Sequence, residues 1–509
     1  MKAQAVAILG TGSDVGKSLM VAGLCRLLYR GGVRVAPFKA QNMSNNSFVT
    51  PDGKEIGRAQ ALQAHACGLD AHVDMNPILL KPESDRRAQV VVQGKVWSTS
   101  DAQDYFHQHN ELAQRVRESY DRLAAQYSVI VIEGAGSAAE MNLRDRDLAN
   151  WFSVELADAK VLLVADIDRG GVFAQVIGTL DLLSPHERDR VFGIVINKFR
   201  GDAALFADGV SFIEQRTGLP VLGVVPFLRG VVLEQEDSLD IERRRHRRFA
   251  ADRVNIGVVL LPRMSNFTDF DPLAAEQDVI LRYVAEPHEL AGADVILIPG
   301  TKNTIEDLRY LRQAGFTDTL REHVAQRREV VGICGGYQML GRSIADPEGV
   351  EAGGIAAGMG FLDVTTRLLK KKITLRIEAA SLHLNDGPAP SVRGYFIHMG
   401  ETERGQESAC FHIQSVMGVS DHQERTLGDL MEGAVSADGL VWGTYIHGIF
   451  DRPAFRRTWL NRVRQRRGLP PLSVEQSEGV TQRLLAELDR WADHLEQHVN
   501  VSLIFKAMD

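Results

Sequence analysis

Ala5-Val-Ala-Ile-Leu-Gly-Thr-Gly-Ser-Asp-Val-Gly-Lys-Ser18 decides the fold of the N-terminal half. The unbroken apolar run Ala5 to Leu9 suits a strand covered on both faces, as in a parallel sheet. Residues Ser18 to Arg30 carry apolar side chains at Leu19, Met20, Leu24, Leu27 and Leu28 and stop at Gly31-Gly32, which predicts a helix. Strand, glycine loop and helix in that order make a phosphate cradle. Gly12 and Gly16 let backbone N–H groups turn inward, Lys17 reaches β/γ oxygens, and the Ser18 hydroxyl is placed to bind Mg²⁺ beside ATP.

Other parts of a nucleotide site follow at strand ends. Val35-Ala-Pro-Phe-Lys-Ala-Gln41 ends a second strand with Lys39, a cation for phosphate or for a substrate carboxylate. Ser128 to Ile132 is a buried strand, and Glu133-Gly-Ala-Gly-Ser137 after it supplies an acid for Mg²⁺, which prefers carboxylate oxygen. Further strands are expected at Lys160 to Ala165 and Phe192 to Ile196, the latter followed by Asn197-Lys198, a pair suited to a base edge.

The charged run Glu242-Arg-Arg-Arg-His-Arg-Arg-Phe-Ala-Ala-Asp-Arg253 breaks the pattern and reads as a solvated connector. A second strand series then starts at Asn255 to Leu261, Asp294 to Ile298, Glu329 to Ile333 and Leu440 to Tyr445. The expected division is an ATP-binding, carboxylate-activating unit at 1–241, a linker at 242–253, a second α/β unit at 254–451 and a helical extension at 452–509. The extension has helical periodicity through Leu484, Leu485, Leu488, Trp491 and Leu495.

In the second unit, Val330-Val-Gly-Ile-Cys-Gly-Gly-Tyr-Gln-Met-Leu340 puts Cys334 on a sharp strand-to-helix turn, where a helix N-terminus favours the thiolate. Gly335 and the loop at Gly300 offer backbone N–H groups for an oxyanion. Gly443-Thr-Tyr-Ile-His-Gly-Ile-Phe-Asp451 places His447 at another strand end of the same unit, as the base for Cys334.

With 509 residues, two to four domains are expected. The net charge of −8 argues against a general nucleic-acid binder. Cys25, Cys67, Cys334 and Cys410 form no CxxC pair, which disfavours zinc and disulfides and fits a reducing compartment. No stretch approaches the roughly 18 apolar residues of a membrane span, and the first apolar run is too short for a signal peptide, so a cytoplasmic enzyme with no membrane partner is expected.

These residues carry a resemblance. The phosphate loop, with Thr11 where the usual motif has glycine, resembles the longer loop of dethiobiotin synthetase, and the Cys-Gly-Gly-Tyr-Gln elbow resembles class I glutamine amidotransferases. The fusion of the two is similar to the cobyrinate- and cobyrate-amidating enzymes. Four strings favour the cobyrate-forming branch: Pro37 to Ser44, Asp166 to Phe173, Asn197 to Asp202 and Pro262 to Phe270. That resemblance implies ATP- and glutamine-dependent amidation of the b, d, e and g carboxylates of adenosylcobyrinic acid a,c-diamide in cobalamin biosynthesis. One ATP would be used per amide, through an acyl phosphate. It also implies ATP and Mg²⁺ at Lys17, Ser18 and Glu133, with Cys334 as nucleophile and His447 as its base. For the anionic corrinoid, Arg144, Arg146 and Arg169 are candidate cations.

The alternatives are the sister a,c-diamide synthase and, outside the enzymes, a partition-type ATPase switch, which would leave the cysteine domain unexplained. Three departures stand out. Ile449 occupies the position of the usual triad glutamate, leaving open what orients His447. Phe396 replaces an acid in Gly394-Tyr-Phe-Ile-His398, and Ala138 replaces a proline.

Overall fold

The computed structural model describes residues 3–83, 87–101, 108–228, 230, 233, 241, 244–384, 389–417 and 430–508. Two of the three six-stranded sheets, both largely parallel, organise the chain. In the first, the strands run Val221–Pro226, Val191–Phe199, Lys160–Asp166, Gln4–Gly10, Val129–Glu133 and Val35–Phe38, all parallel. The strand Gln4–Gly10 is central, and its last residue hands the chain to the phosphate loop and the helix Lys17–Arg30. Continuous apolar strands fit this position because helices cover both faces.

The second sheet runs Val279–Val284, Val254–Val259, Val295–Ile298, Glu329–Ile333, Val441–Thr444 and Ala434–Val435. Its pairs are parallel except the last, which is antiparallel. Cys334 and His447 both follow neighbouring strands, Glu329–Ile333 and Val441–Thr444, at the same sheet edge. The expected α/β class is observed for both units.

Two larger, mainly antiparallel sheets were not anticipated. One joins Gln41–Met43, Ile78–Pro82, Arg87–Val92 and Lys95–Asp101, its first pair alone being parallel. The other is built on the long hairpin Val364–Ser381 with Ser391–Arg404. That hairpin reaches across to the first unit. The Thr374 hydroxyl donates to the Gly53 carbonyl at 2.6 Å, and Arg376 Nε donates to the Val49 carbonyl at 2.7 Å.

The predicted C-terminal helix forms at Val480–His498, but it does not extend the second unit. It packs along Lys17–Arg30, so Leu488, Trp491, Ala492, Leu495 and Val499 share a core with Val6, Ile8 and Met20. Trp491 Nε1 donates to the Leu19 carbonyl at 2.6 Å, and Arg26 pairs with Asp489 at 2.8 Å. A Cβ on Gly23 would stand 2.3 Å from Leu495 Cδ1 and 2.9 Å from Trp491 Nε1, so a side chain there would push the two apolar residues away.

The charged connector is not uniformly solvated. Arg244 is buried and pairs with Asp271 at 2.8 Å, the carboxylate offsetting the cost of burying the guanidinium. Glu242 and Arg243, at the start of that run, lie outside the described residues. Among the described residues no helix is long and apolar enough to cross a membrane.

Candidate active site

Residues predicted to meet a nucleotide gather at the ends of the first sheet's central strands. Gly16 caps the helix Lys17–Arg30 in the left-handed region, φ 99°, and a Cβ there would sit 2.2 Å from Asn197 Nδ2. Asn197 spends that amide on the Val15 carbonyl at 2.8 Å, so it braces the phosphate loop from behind. Lys17 Nζ donates to the Gly12 and Gly136 carbonyls, both at 2.8 Å, joining the loop to the turn after Val129–Glu133.

Glu133 is the hub. Its Oε1 accepts from the Ser18 hydroxyl at 2.7 Å and from Lys39 Nζ at 2.8 Å, and its Oε2 accepts from the Gln63 amide. Burial pushes the Glu133 carboxyl up, but the Lys39 ammonium and these donors hold it below the usual range, so it is a carboxylate. Ser18 and Glu133 thus offer adjacent oxygens of the kind Mg²⁺ takes. Among the described residues no group of three or more His, Cys, Asp or Glu converges as a metal cage. One hydroxyl and one carboxylate oxygen fit an ion whose other ligands are phosphate and water.

Two of the candidate arginines are paired. Arg169 pairs with Asp14 of the phosphate loop at 2.9 Å, and Arg144 pairs with Glu187. Arg144 to Arg146 form a short 3-10 turn.

The second constellation centres on Cys334. Its backbone sits at φ 53°, ψ −109°, an unfavourable region for any side chain other than hydrogen. Two features hold it there. Its N–H donates to the Thr444 carbonyl at 2.8 Å. Behind it, a Cβ on Gly336 would lie 2.0 Å from the Ile298 carbonyl oxygen, so the elbow packs against the neighbouring strand with no room for a side chain. Gly335 begins the helix and faces the Gly300–Thr301 strand, whose Thr301 N lies 3.1 Å from where a Gly335 Cβ would be. The two expected oxyanion segments are therefore adjacent.

His447 is buried beside this turn. Its ring stacks on Tyr395 with centroids 5.3 Å apart. Its Nδ1 lies 2.6 Å from Asp269 Oδ2, and Asp269 Oδ1 accepts from the Gly448 N–H at 3.1 Å. The Asn266 amide nitrogen lies 3.5 Å from each ring nitrogen. Burial alone would lower the His447 pKa, but the Asp269 carboxylate, with Cys334 adding to it, raises it to about 10. Asp269 is the residue that sequence reasoning missed as a site residue, although it lies within the string Pro262 to Phe270. Ile449 and Phe396, the two positions where an acid was looked for, are both buried in the apolar core.

The Cys334 pocket is lined from both units: Lys81 and Glu83 from the first, Asn266, Thr301, Lys302, Gln338, Glu351, Lys372 and His398 from the second. Beneath it, buried Glu55 takes Lys81 at 2.6 Å and also pairs with Lys372, so one carboxylate ties the two units. Burial raises Glu351 to about 7 against the pull of Lys302.

Comparison with known proteins agrees with this two-part layout. Residues 6–239 match the family described as the CobQ/CobB/MinD/ParA nucleotide binding domain, and residues 255–455 match the CobB/CobQ-like glutamine amidotransferase domain. Cobyric acid synthase of Salmonella heidelberg (strain SL476) is 47% identical over 515 aligned residues, covering 99% of this chain and 98% of its own. The Salmonella dublin protein of the same name is 48% identical with the same coverage. Among solved structures, PurLQS from Thermotoga maritima aligns over 47% of this chain and 99% of its own, at 14% identity and a TM-score of 0.29. A phosphate-loop unit followed by a cysteine-elbow unit, matched along nearly its whole length by these relatives, places the chain in the cobyric acid synthase family of glutamine-hydrolysing, amide-forming ligases.

Proposed function

We propose that the chain amidates the b, d, e and g carboxylates of adenosylcobyrinic acid a,c-diamide, using one ATP per amide. The observation that carries this reading is the shared pocket: a cysteine elbow with a buried histidine beside it, walled partly by Lys81 and Glu83 of the ATP-binding unit. Ammonia released there arrives at a boundary that both units form.

In the glutaminase unit, near 254–451, Cys334 Sγ attacks the side-chain amide carbon of glutamine. The oxyanion meets N–H groups from the Gly335 and Gly300 segments, and His447 passes a proton to the departing ammonia. Water then cleaves the thioester, giving glutamate and the free thiol. In the unit near 1–241, Lys17 and the loop glycines Gly12 and Gly16 hold the nucleotide phosphates, with Asn197 bracing the loop. Ser18 and Glu133 would hold Mg²⁺, which supplies charge neutralisation when bound. A substrate carboxylate oxygen takes the γ-phosphoryl group, ammonia attacks the acyl carbon, and phosphate leaves as the C–N bond forms. Lys39, paired with Glu133, lies where it can steer the incoming carboxylate, and Arg144, Arg146 and Arg169 are cations for the remaining carboxylates.

The experiment is product analysis. Given glutamine, Mg-ATP and the a,c-diamide, the enzyme is expected to release one ADP for each amide nitrogen gained, until the b, d, e and g carboxylates are all amidated. Mass spectrometry that found amidation only at the a and c positions of cobyrinic acid would move the assignment to the sister activity.

The metal assignment has its own test. Glu133→Gln is expected to raise the Mg²⁺ concentration for half-maximal activity by about tenfold or more, because one charged oxygen is replaced by a neutral amide. Phe396→Glu should leave that requirement alone, since Phe396 is buried in the core of the other unit. An unchanged Mg²⁺ titration in Glu133→Gln would refute the ligand role.

A further inference from the structure

We infer that Asp269 is the positioning residue for His447, supplying from the 3-10 turn Phe267–Phe270 the orienting acid that position 449 does not. The inference rests on the reading of Cys334 and His447 as the glutaminase pair.

The geometry is specific. His447 and Asp269 are 1% and 5% exposed at their side chains, and Nδ1 to Oδ2 is 2.6 Å, a short charge-assisted contact. The second carboxylate oxygen is not idle, because the Gly448 N–H donates to it at 3.1 Å. One carboxylate therefore fixes both the ring and the backbone just after it. Tyr395 closes the ring's face, and its backbone exchanges hydrogen bonds with His447, N–H to carbonyl at 3.1 and 2.9 Å. With Nδ1 committed to Asp269, Nε2 is the nitrogen left for the thiol. An acid so placed fixes the tautomer and stabilises the imidazolium that forms when the thiol ionises.

Among the described residues, groups from several elements face His447. They are Asp269 from the turn, Cys334 from the elbow, Tyr395 and His398 from the strand Ser391–Arg404, and Asn266. Burial, its backbone bond to Gly400 notwithstanding, lowers His398 to about 3, so it stays neutral across the working range. Asp269 is then the carboxylate that, in direct contact with the ring, holds a proton on His447.

Asp269→Asn preserves shape and removes charge. The expected result is a fall in glutamine-dependent kcat of about 10²- to 10⁴-fold, with amidation from ammonium salts unchanged. The pH profile carries the distinguishing sign. Asp269 raises the His447 pKa, so without it the imidazolium loses its proton at lower pH. The alkaline limb of the glutaminase kcat/KM profile should shift downward from near 10 toward the ordinary imidazole range. Asp269→Glu, which restores the charge, should recover part of both the rate and the alkaline limb. The proposal is overturned if the Asn variant keeps glutaminase kcat within threefold, if its alkaline limb does not move, or if ammonia-supported amidation falls with it, which would mark a folding role. A Cys334→Ala control that retained glutaminase activity would instead sink the underlying assignment of the pair.

Discussion

Cys334→Ala is expected to abolish glutamine-dependent amidation, by about 10⁴-fold or more, while amidation from ammonium salts at high pH continues at the wild-type rate. The magnitude follows from what is removed. A thiolate is the group that opens the amide, and neither the Gly300 and Gly335 N–H groups nor His447 can attack carbon in its place. The sparing of the ammonia reaction follows from where the residue sits. Cys334 lies on the second sheet's edge, whereas Lys17, Ser18, Lys39 and Glu133 belong to the first. The substitution is also mild for packing. Cys334 is buried, and alanine fits the same volume without a new polar atom. The strained φ of 53° is borne by cysteine and alanine alike, so the exchange adds no backbone cost. Loss of both reactions in a folded variant would show that the units do not divide the chemistry in this way.

Lys17→Ala is expected to remove activity with either nitrogen source, by about 10³-fold, or ~4 kcal/mol of transition-state stabilisation. Lys17 is buried, and the two carbonyl partners of its ammonium, Gly12 and Gly136, come from the loops that bracket the phosphate cradle. Deleting it also leaves two carbonyls without that donor, so a modest drop in melting temperature should accompany the loss. Glutaminase turnover of free glutamine, chemistry of the other unit, is the internal control. Near-normal amidation with ATP and ammonia in this variant would end the assignment of the phosphate loop.

Both turns behind these predictions were legible in the sequence because each is local. A strand, a glycine turn and a helix written consecutively around Lys17 or Cys334 leave the chain few other conformations. Distant pairings were a different matter. Asp269 and His447 are 178 residues apart, and nothing in either neighbourhood announces the other. The hairpin Val364–Ser381 was also illegible, since Lys370-Lys371-Lys372 interrupts its apolar alternation and looks like a solvated turn. In the structure Lys372 is instead buried on Glu55, a residue of the other unit. Arg244 misled for the same reason. A run of like charges is usually exposed, and only the fold reveals that one of them has a carboxylate waiting. The helix Val480–His498 was read correctly as a helix but without its destination, because periodicity says which face is apolar and not what covers it.

That destination governs when the ATP-binding unit can finish packing as the chain is made. A ribosome delivers the phosphate-loop strands first, then the whole glutaminase unit, and only afterwards Leu488, Trp491 and Leu495. Until those side chains emerge, the outer face of Lys17–Arg30, with the notch at Gly23 and the Leu19 carbonyl, has no cover. The nascent ATP-binding unit must therefore wait, incompletely packed, while its neighbour is synthesised and folds. A message cut short before residue 480 would yield a polypeptide holding every residue of both centres yet presenting a raw apolar surface, the kind that chaperones retain and proteases remove.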